Sequence, residues 1–499
     1  MKFFLTLDIG TTSVKVCALD ESFRIHKRVG IEYALISKNN RVELEPGIYI
    51  DAVSRGISEV AEEIGGGRVI GISVTTQGET LIPIDACGNA LYNAVVWLDA
   101  RAAEQAEQIN GLIPAEQFYM RTGIPECNGL CPISKLLWFK QHEAGIYEKT
   151  QYFLLLEDYI ILHLTGRFVT EKSLLSTTGY FDITTDSLWT GIFDKLGLDS
   201  GKIPTVMDCG EIVGGILPDV AEKLGLSKEI KIVTGAMDQV CGAIGAGNFK
   251  SGVVTETTGT ALCIGITRKS APVQAEYNVP IYRHYTRNLQ LLLPVCMTAG
   301  MALKWFKDVF CAEEEKKAAQ DGESVYDYLV DLAAKSPPLS NGIITLPYFS
   351  GSLQPLNAPD CRASFSGVGL HCTKPDFIRS ILEGVGYMLK ENVVMLENIT
   401  GGRVERIISM GGGARSKLWC EIKSNIMGIP VEVYPESETA SQGAAMLCAV
   451  AVGVYGSLVE AFEQVQTEAA AFIPQPDTAK QYKKGFDKYL TAQKQMHDA

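Results

Sequence analysis

The chain of 499 residues is 46% hydrophobic and 21% charged, a globular composition too long for one core, so roughly two to four domains are expected. Its net charge of −13 argues against a general binder of nucleic acid or of anionic membranes, although a few local donors are enough to hold one phosphate group. Thirteen cysteines lie scattered without framework spacing, and Cys127 and Cys131 have no partner pair or HxxxH after them, which predicts reduced thiols, a cytoplasmic location and no zinc.

The first apolar run stops at Asp8, too soon for a signal peptide, and residues 3–7 and 14–19 read as strands joined by a Gly-Thr turn. From Pro46 a helix carries Tyr49, Val53, Ile57, Val60 and Ile64 on one stripe. Residues 69–74 and 80–85 read as strands around the loop "TQGE", and 230–235 as a strand running into a helix that begins near Asp238. The opening layout then returns at 251–268: aligning Gly10 with Gly259 sets Thr11 against Thr260 and Asp8 against Thr257. Residues 406–422 read as strand, three glycines and helix, and "ETASQGAAMLCAV" at 438–450 opens another helix. The apolar stretch 444–456 is shorter than the ~18 residues that suggest a membrane span. The alternation predicts an α/β fold, and the repeat predicts two related halves, 1–246 and 247–499, facing a central cleft, with the boundary in the Gly-rich passage 242–252.

No GxxxxGK[ST] loop is present, and the first strand-turn lacks a dinucleotide fingerprint. Two Gly-Thr hairpins can still grip a polyphosphate, because glycine admits close backbone approach, tight turns aim N–H groups inward and threonine hydroxyls add donors. Asp8 at the end of the first strand is placed to hold Mg²⁺ directly or through water, and Lys15 is placed to reach a phosphate oxygen. Gly411, Gly412 and Gly413 suit either close approach by a flat nucleoside or a glycine turn required by packing, and Gly300 opens a helix. Asp238, in a first helical turn, has two readings: a carboxylate favoured by the helix dipole, or a general base that accepts a hydroxyl proton during phosphoryl transfer.

The ordered set "DIGTTSVK", "VVWLDARA", "LTG", "GAMDQVCGAIGAG", "TTGT", "AGMALKW", "ILEGVGYML", "GGGARSKLW" and "ETASQGAA" resembles the FGGY carbohydrate kinases over essentially the whole chain. The resemblance implies two ribonuclease-H-like domains of the actin-like ATPase superfamily, an N-terminal sugar-binding domain and a C-terminal nucleotide-binding domain, with ATP and Mg²⁺ as cofactors. It implies Asp238 as catalytic base and Asp8 as the Mg²⁺-side acid. Thr11, Thr12, Ser13, Gly259 and Thr260 are implied as phosphate donors with Lys15 in support, and Gly300, Gly412, Gly413 and Ala414 as the nucleotide wall. Gln77, Gly78, Glu79, Trp97, Asp99 and Gln239 are implied, with Asp238, as the sugar site. The family is often dimeric, so a homodimer is the protein partner implied.

Departures from the family's subgroups concern the substrate. Xylulokinases typically carry Gln-Met-His where this chain has Gln77-Gly78-Glu79, and often Asp-Asn where it has Asp238-Gln239. Glycerol kinases share the Glu and the Asp-Gln pair but have Arg in place of Gly78 and Tyr in place of Leu130. "WLDARA" looks like the xylulokinase side, and the usual Gly-Glu-Arg-x-Pro has become Gly351-Ser352-Leu353-Gln354-Pro355. The expectation is phosphorylation of a terminal hydroxyl on a small free sugar, a ketopentose such as xylulose first and a glycerol- or erythritol-type polyol second. An actin- or Hsp70-like conformational ATPase is the reading from another class, and a non-catalytic sugar-binding relic a third.

Overall fold

A computed structural model describes residues 1–434, 438–465 and 469–497. Contacts divide the chain into two units: Met1–Phe249 with Arg268–Leu291 and Glu438–Gln466, and Lys250–Thr267 with Leu292–Ser437 and Thr467–Ala499.

The first unit is built on strands β1 (Phe3–Ile9), β2 (Ser13–Leu19) and β3 (Ile25–Glu32), helix α1 (Pro46–Ile64) and strand β4 (Val69–Thr76). Two short strands follow, β5 (Leu81–Ile84) and β6 (Ala94–Val95), then helix α2 (Pro132–His142). Strands β7 (Ile212–Gly215) and β8 (Lys231–Met237) lead into helix α3 (Asp238–Gly245). The main sheet has the order β7-β8-β4-β1-β2-β3. β1 pairs antiparallel with β2 and parallel with β4, and β8 continues the parallel run. β1 is buried along nearly its whole length, as expected of a central strand covered on both faces. The predicted stripe of α1 is buried in full, and the helix packs on β2 and β3.

In the second unit, β9 (Val253–Thr258) and β10 (Leu262–Lys269) form the second hairpin, followed by α4 (Gly300–Phe310), β11 (Arg406–Met410), α5 (Lys417–Met427), β12 (Val431–Val433) and β13 (Ala470–Phe472). β9 pairs parallel with β11, β11 parallel with β12, and β12 antiparallel with β13. This repeats the pairing of the first unit, a hairpin followed by two parallel strands and an antiparallel edge, so the repeat seen in the sequence is a repeat of topology. The turns differ by one residue. Ile9 faces Val14 across the first turn and Thr258 faces Leu262 across the second.

The division by contacts differs from a single cut after residue 246. The helix α6 (Thr439–Ala451) lies in the first unit, where it packs on α3, β4 and β1. Its apolar run, short for a membrane span, covers the second face of that sheet. Among the described residues no helix is long and apolar enough to cross a membrane. α3 and α6 meet backbone to backbone: a Cβ added at Gly443 would stand 1.9 Å from the Cys241 carbonyl oxygen, and one at Gly245 would stand 2.0 Å from that of Thr439. Neither obstacle is a side chain that can turn away. Gly443→Ala is therefore expected to lower the urea midpoint by the equivalent of about 3 kcal/mol; an unchanged midpoint would show that the two helices part freely.

Candidate functional site

Asp8 and Lys15 are direct cross-strand partners in the first hairpin, which is why one turn carries both a carboxylate and an ammonium at its mouth. Lys15 Nζ lies 3.6 Å from Asp8 Oδ2 and 2.9 Å from Glu438 Oε2, and Glu438 Oε1 accepts from Arg28 at 2.8 Å. Burial holds the Asp8 carboxyl above its ordinary value against the pull of Lys15, and Glu438 adds to the rise. The turn itself is braced by Tyr33, whose hydroxyl donates to the Gly10 carbonyl at 2.5 Å and whose N–H donates to that of Thr12. Thr12 is exposed and Ser13 half-buried, so both can meet a ligand.

Thr11 points elsewhere. Its hydroxyl donates to Gln77 Oε1 at 2.8 Å and accepts from Trp97 Nε1 at 3.0 Å. Gln77 Nε2 and the Trp97 N–H both donate to Thr80 Oγ1, at 3.2 Å each. Thr11, Gln77, Thr80 and Trp97 thus form one closed network, which joins the Thr11 hydroxyl to two of the residues expected at the sugar site. Asp99 departs from expectation. It is fully buried, with its oxygens taken by Arg101 Nε and Nη2 at 2.7 Å each and by the Val42 N–H at 2.6 Å. Its carboxylate is consumed in a structural ion pair that the Glu43 carboxylate joins.

Glu79 has φ +61°, and the Thr80 N–H donates to the Gly78 carbonyl at 2.8 Å. That is a γ-turn of the rare, strained kind. A Cβ at Gly78 would lie 3.1 Å from Thr177 Oγ1, so any side chain there needs Thr177 to give by a few tenths of an ångström. Burial raises the Glu79 carboxyl against the opposing field of Lys135. Asp238 begins α3 directly after β8, and its Oδ1 accepts from the Gln239 N–H at 2.6 Å. Burial pushes its carboxyl up to about 7, and the nearby charges of Asp8 and Glu79 push the same way. The three carboxylates therefore share one electrostatic neighbourhood within the first unit. Among the described residues no group of three or more His, Cys, Asp or Glu is arranged to hold a metal ion.

In the second unit the turn Gly259–Thr260 is exposed and tied to the start of α4. The Gly300 N–H donates to the Gly259 carbonyl at 2.8 Å, the Ala299 N–H to that of Thr260 at 2.9 Å, and a Cβ at Gly300 would stand 2.4 Å from Gly259 O. The glycine turn after β11 packs on the same strand end, where a Cβ at Gly413 would stand 2.6 Å from that of Thr258. Thr258, Gly259, Thr260, Gly300, Gly412 and Gly413 line one cavity of about 410 Å³. Arg415, Ser416 and Trp419 line it too, whereas Ala414 does not. Under its floor is a buried ion pair that sequence reasoning missed: Lys423 Nζ donates to Glu256 Oε1 at 2.6 Å and to Thr258 Oγ1 at 2.8 Å, and Thr258 donates to Glu256 Oε2 at 2.6 Å. Ser409 also donates to that carboxylate.

The N-terminal domain of the FGGY family of carbohydrate kinases matches residues 3–245, and its C-terminal domain matches residues 255–452. A xylulose kinase of Bacillus subtilis is 28% identical over 492 residues, covering 98% of this chain and 96% of its own. The ligand-bound structure of a xylulose kinase from Lactobacillus acidophilus superposes with a TM-score of 0.90 at 25% identity, over 100% of this chain and 99% of the other. A gluconate kinase from the same organism gives the same TM-score and identity over 99% and 98% of the two chains. Two units with the same sheet plan, each ending a central strand in a glycine turn, agree with those matches across nearly the whole length. The chain belongs to the FGGY family of carbohydrate kinases.

Proposed function

We propose that this chain is an ATP-dependent kinase that phosphorylates a terminal hydroxyl of a small neutral sugar, a ketopentose such as xylulose being the first candidate. The observation that carries the reading is Asp238: a half-buried carboxylate at the start of α3, bonded to the Gln239 N–H, with proton affinity raised to about 7 by burial and by the nearby charges of Asp8 and Glu79. A carboxylate so tuned accepts the proton of a sugar hydroxyl near neutral pH as that oxygen attacks the γ-phosphorus of ATP. Glu79 and Gln239 are placed to hold further hydroxyls, one as an acceptor and one as a two-way amide. Lys15, Thr12 and Ser13 are the donors for phosphate oxygens in the first unit, and the cavity bounded by Gly259, Thr260, Gly300, Gly412 and Gly413 is the nucleotide side in the second.

Mg²⁺ fits this chemistry. The charge of Asp8 adds to the rise of the Asp238 carboxyl, so a counter-charge is favoured there, and a hard cation with mostly water and phosphate ligands requires only one protein carboxylate. Asp8 would hold it, and when bound the ion neutralises phosphate charge. Thirteen free thiols suit a reducing cytoplasm, where we place the protein.

The xylulose kinase relatives favour a ketopentose, and the gluconate kinase neighbour makes aldonates the contrast. A coupled ADP-release screen over ketoses, aldoses, alditols and aldonates, scored as kcat/KM, is expected to peak on a neutral ketopentose or a close polyol. ADP release that no sugar accelerates would overturn the reading and favour a conformational ATPase.

A further inference from the structure

Lys135 is a lysine that composition and motif left unassigned, and it is completely buried in the first turn of α2. A buried ammonium is expensive unless its donors are met. Here they are met by two carbonyls from different loops: Lys135 Nζ donates to Val96 O at 3.0 Å and to Glu79 O at 3.3 Å. The first carbonyl immediately precedes Trp97, and the second belongs to the strained turn that carries Glu79. The Glu79 carboxylate, in turn, is the largest source of negative field on the lysine, followed by Asp99 and Cys131. A non-glycine residue at φ +61° persists only where its surroundings hold it, and the Glu79 carbonyl bond is the visible restraint on that peptide from outside the turn.

We propose that Lys135 is a positioning residue for the acceptor site, one ammonium that fastens the Glu79 turn and the Trp97 segment in the arrangement that grips the sugar. This deepens the kinase reading and rests on it for the word acceptor, while the fastening itself is a property of the fold. Neither the Glu79 side chain nor the Trp97 indole needs to touch Lys135 for it to act. Its two carbonyl bonds set where both backbones run. The consequence is selective: loss of Lys135 loosens the sugar site and leaves the Gly259–Thr260 nucleotide turn, in the other unit, intact.

The test compares wild type, Lys135→Met, Glu79→Gln and the double variant. Kinetics with D-xylulose and ATP as probes and amide hydrogen exchange across residues 77–80 and 94–99 are both measured. Lys135→Met is expected to raise the KM for D-xylulose at least tenfold, keep the KM for ATP within twofold and speed exchange in both segments. The double variant is expected to be little worse than the poorer single one, because Lys135 acts through the Glu79 turn. An unchanged sugar KM, fully additive effects or unaltered exchange in a folded variant overturns the proposal. Should Lys135→Met fail to fold, Lys135→Gln, which is shorter and can keep at most part of the bonding, is measured instead: a smaller rise in the sugar KM with faster exchange in at least one segment is expected, and wild-type values for both overturn the proposal. A wild type inert on every sugar brings down the kinase reading instead, and the exchange result still decides whether Lys135 fastens the two segments.

Discussion

Asp238→Asn is expected to fold and to lose phosphoryl transfer by about 10³-fold, the scale of removing a positioned general base. Asparagine keeps the oxygen that accepts from the Gln239 N–H, so the local turn survives the change. The loss should fall on kcat, with the sugar KM altered little. In the wild type, activity should decline as pH falls through about 7, because Asp238 must be unprotonated to act. Glu79→Gln removes one of the charges that raise that carboxyl, so its descending limb should move to lower pH. Stability runs the other way. A carboxyl raised above its unfolded value of 3.8 favours the folded state when protonated, so its contribution is present below pH 3.8 and is lost as pH rises through about 7. Asp238→Asn should therefore be more stable than wild type at pH 8, by on the order of 2 kcal/mol after allowance for partial exposure. Near-normal turnover in this variant would remove Asp238 as the base, and a lowered stability at pH 8 would contradict its electrostatic setting.

The second large effect is expected at Lys423. Lys423→Met leaves the Glu256 carboxylate buried without its cation, which should cost about 3–5 kcal/mol in chemical denaturation. The companion change Glu256→Leu should recover most of that loss, since a buried ion pair replaced by apolar groups of similar size is often neutral. The folded double variant then isolates what the pair does for Thr258. That hydroxyl bonds to both partners, and the residue forms the floor on which Gly413 sits. Calorimetric titration with ADP is expected to show weakened binding in the double variant, and wild-type affinity there would confine the pair to stability alone.

How much of this was readable in advance depends on the range of each interaction. The two hairpins were legible because a Gly-Thr turn between apolar runs is a local instruction, and its repetition at 251–268 is visible without any contact. Asp238 at the start of a helix was legible for the same reason. The direction of the Thr11 hydroxyl was not, because it is decided by Gln77 and by Trp97, far along the chain. Asp99 carried a local warning, since Arg101 two residues later takes both of its oxygens. Lys135 and Lys423 sit inside apolar helix faces, where their partners come from distant loops and a distant strand, and nothing in the adjoining sequence marks them. The placement of α6 in the first unit is likewise a long-range fact, written in the paired glycines Gly245 and Gly443 only once the two helices are seen to cross.

Phosphorus NMR of the protein with MgATP and each sugar of the panel in turn shows whether phosphate from ATP ends on a sugar. For at least one neutral sugar, a new phosphate monoester resonance is expected to grow in step with ADP, and to be absent with Asp238→Asn. ADP accompanied only by inorganic phosphate, at one rate with or without sugar, would contradict that expectation.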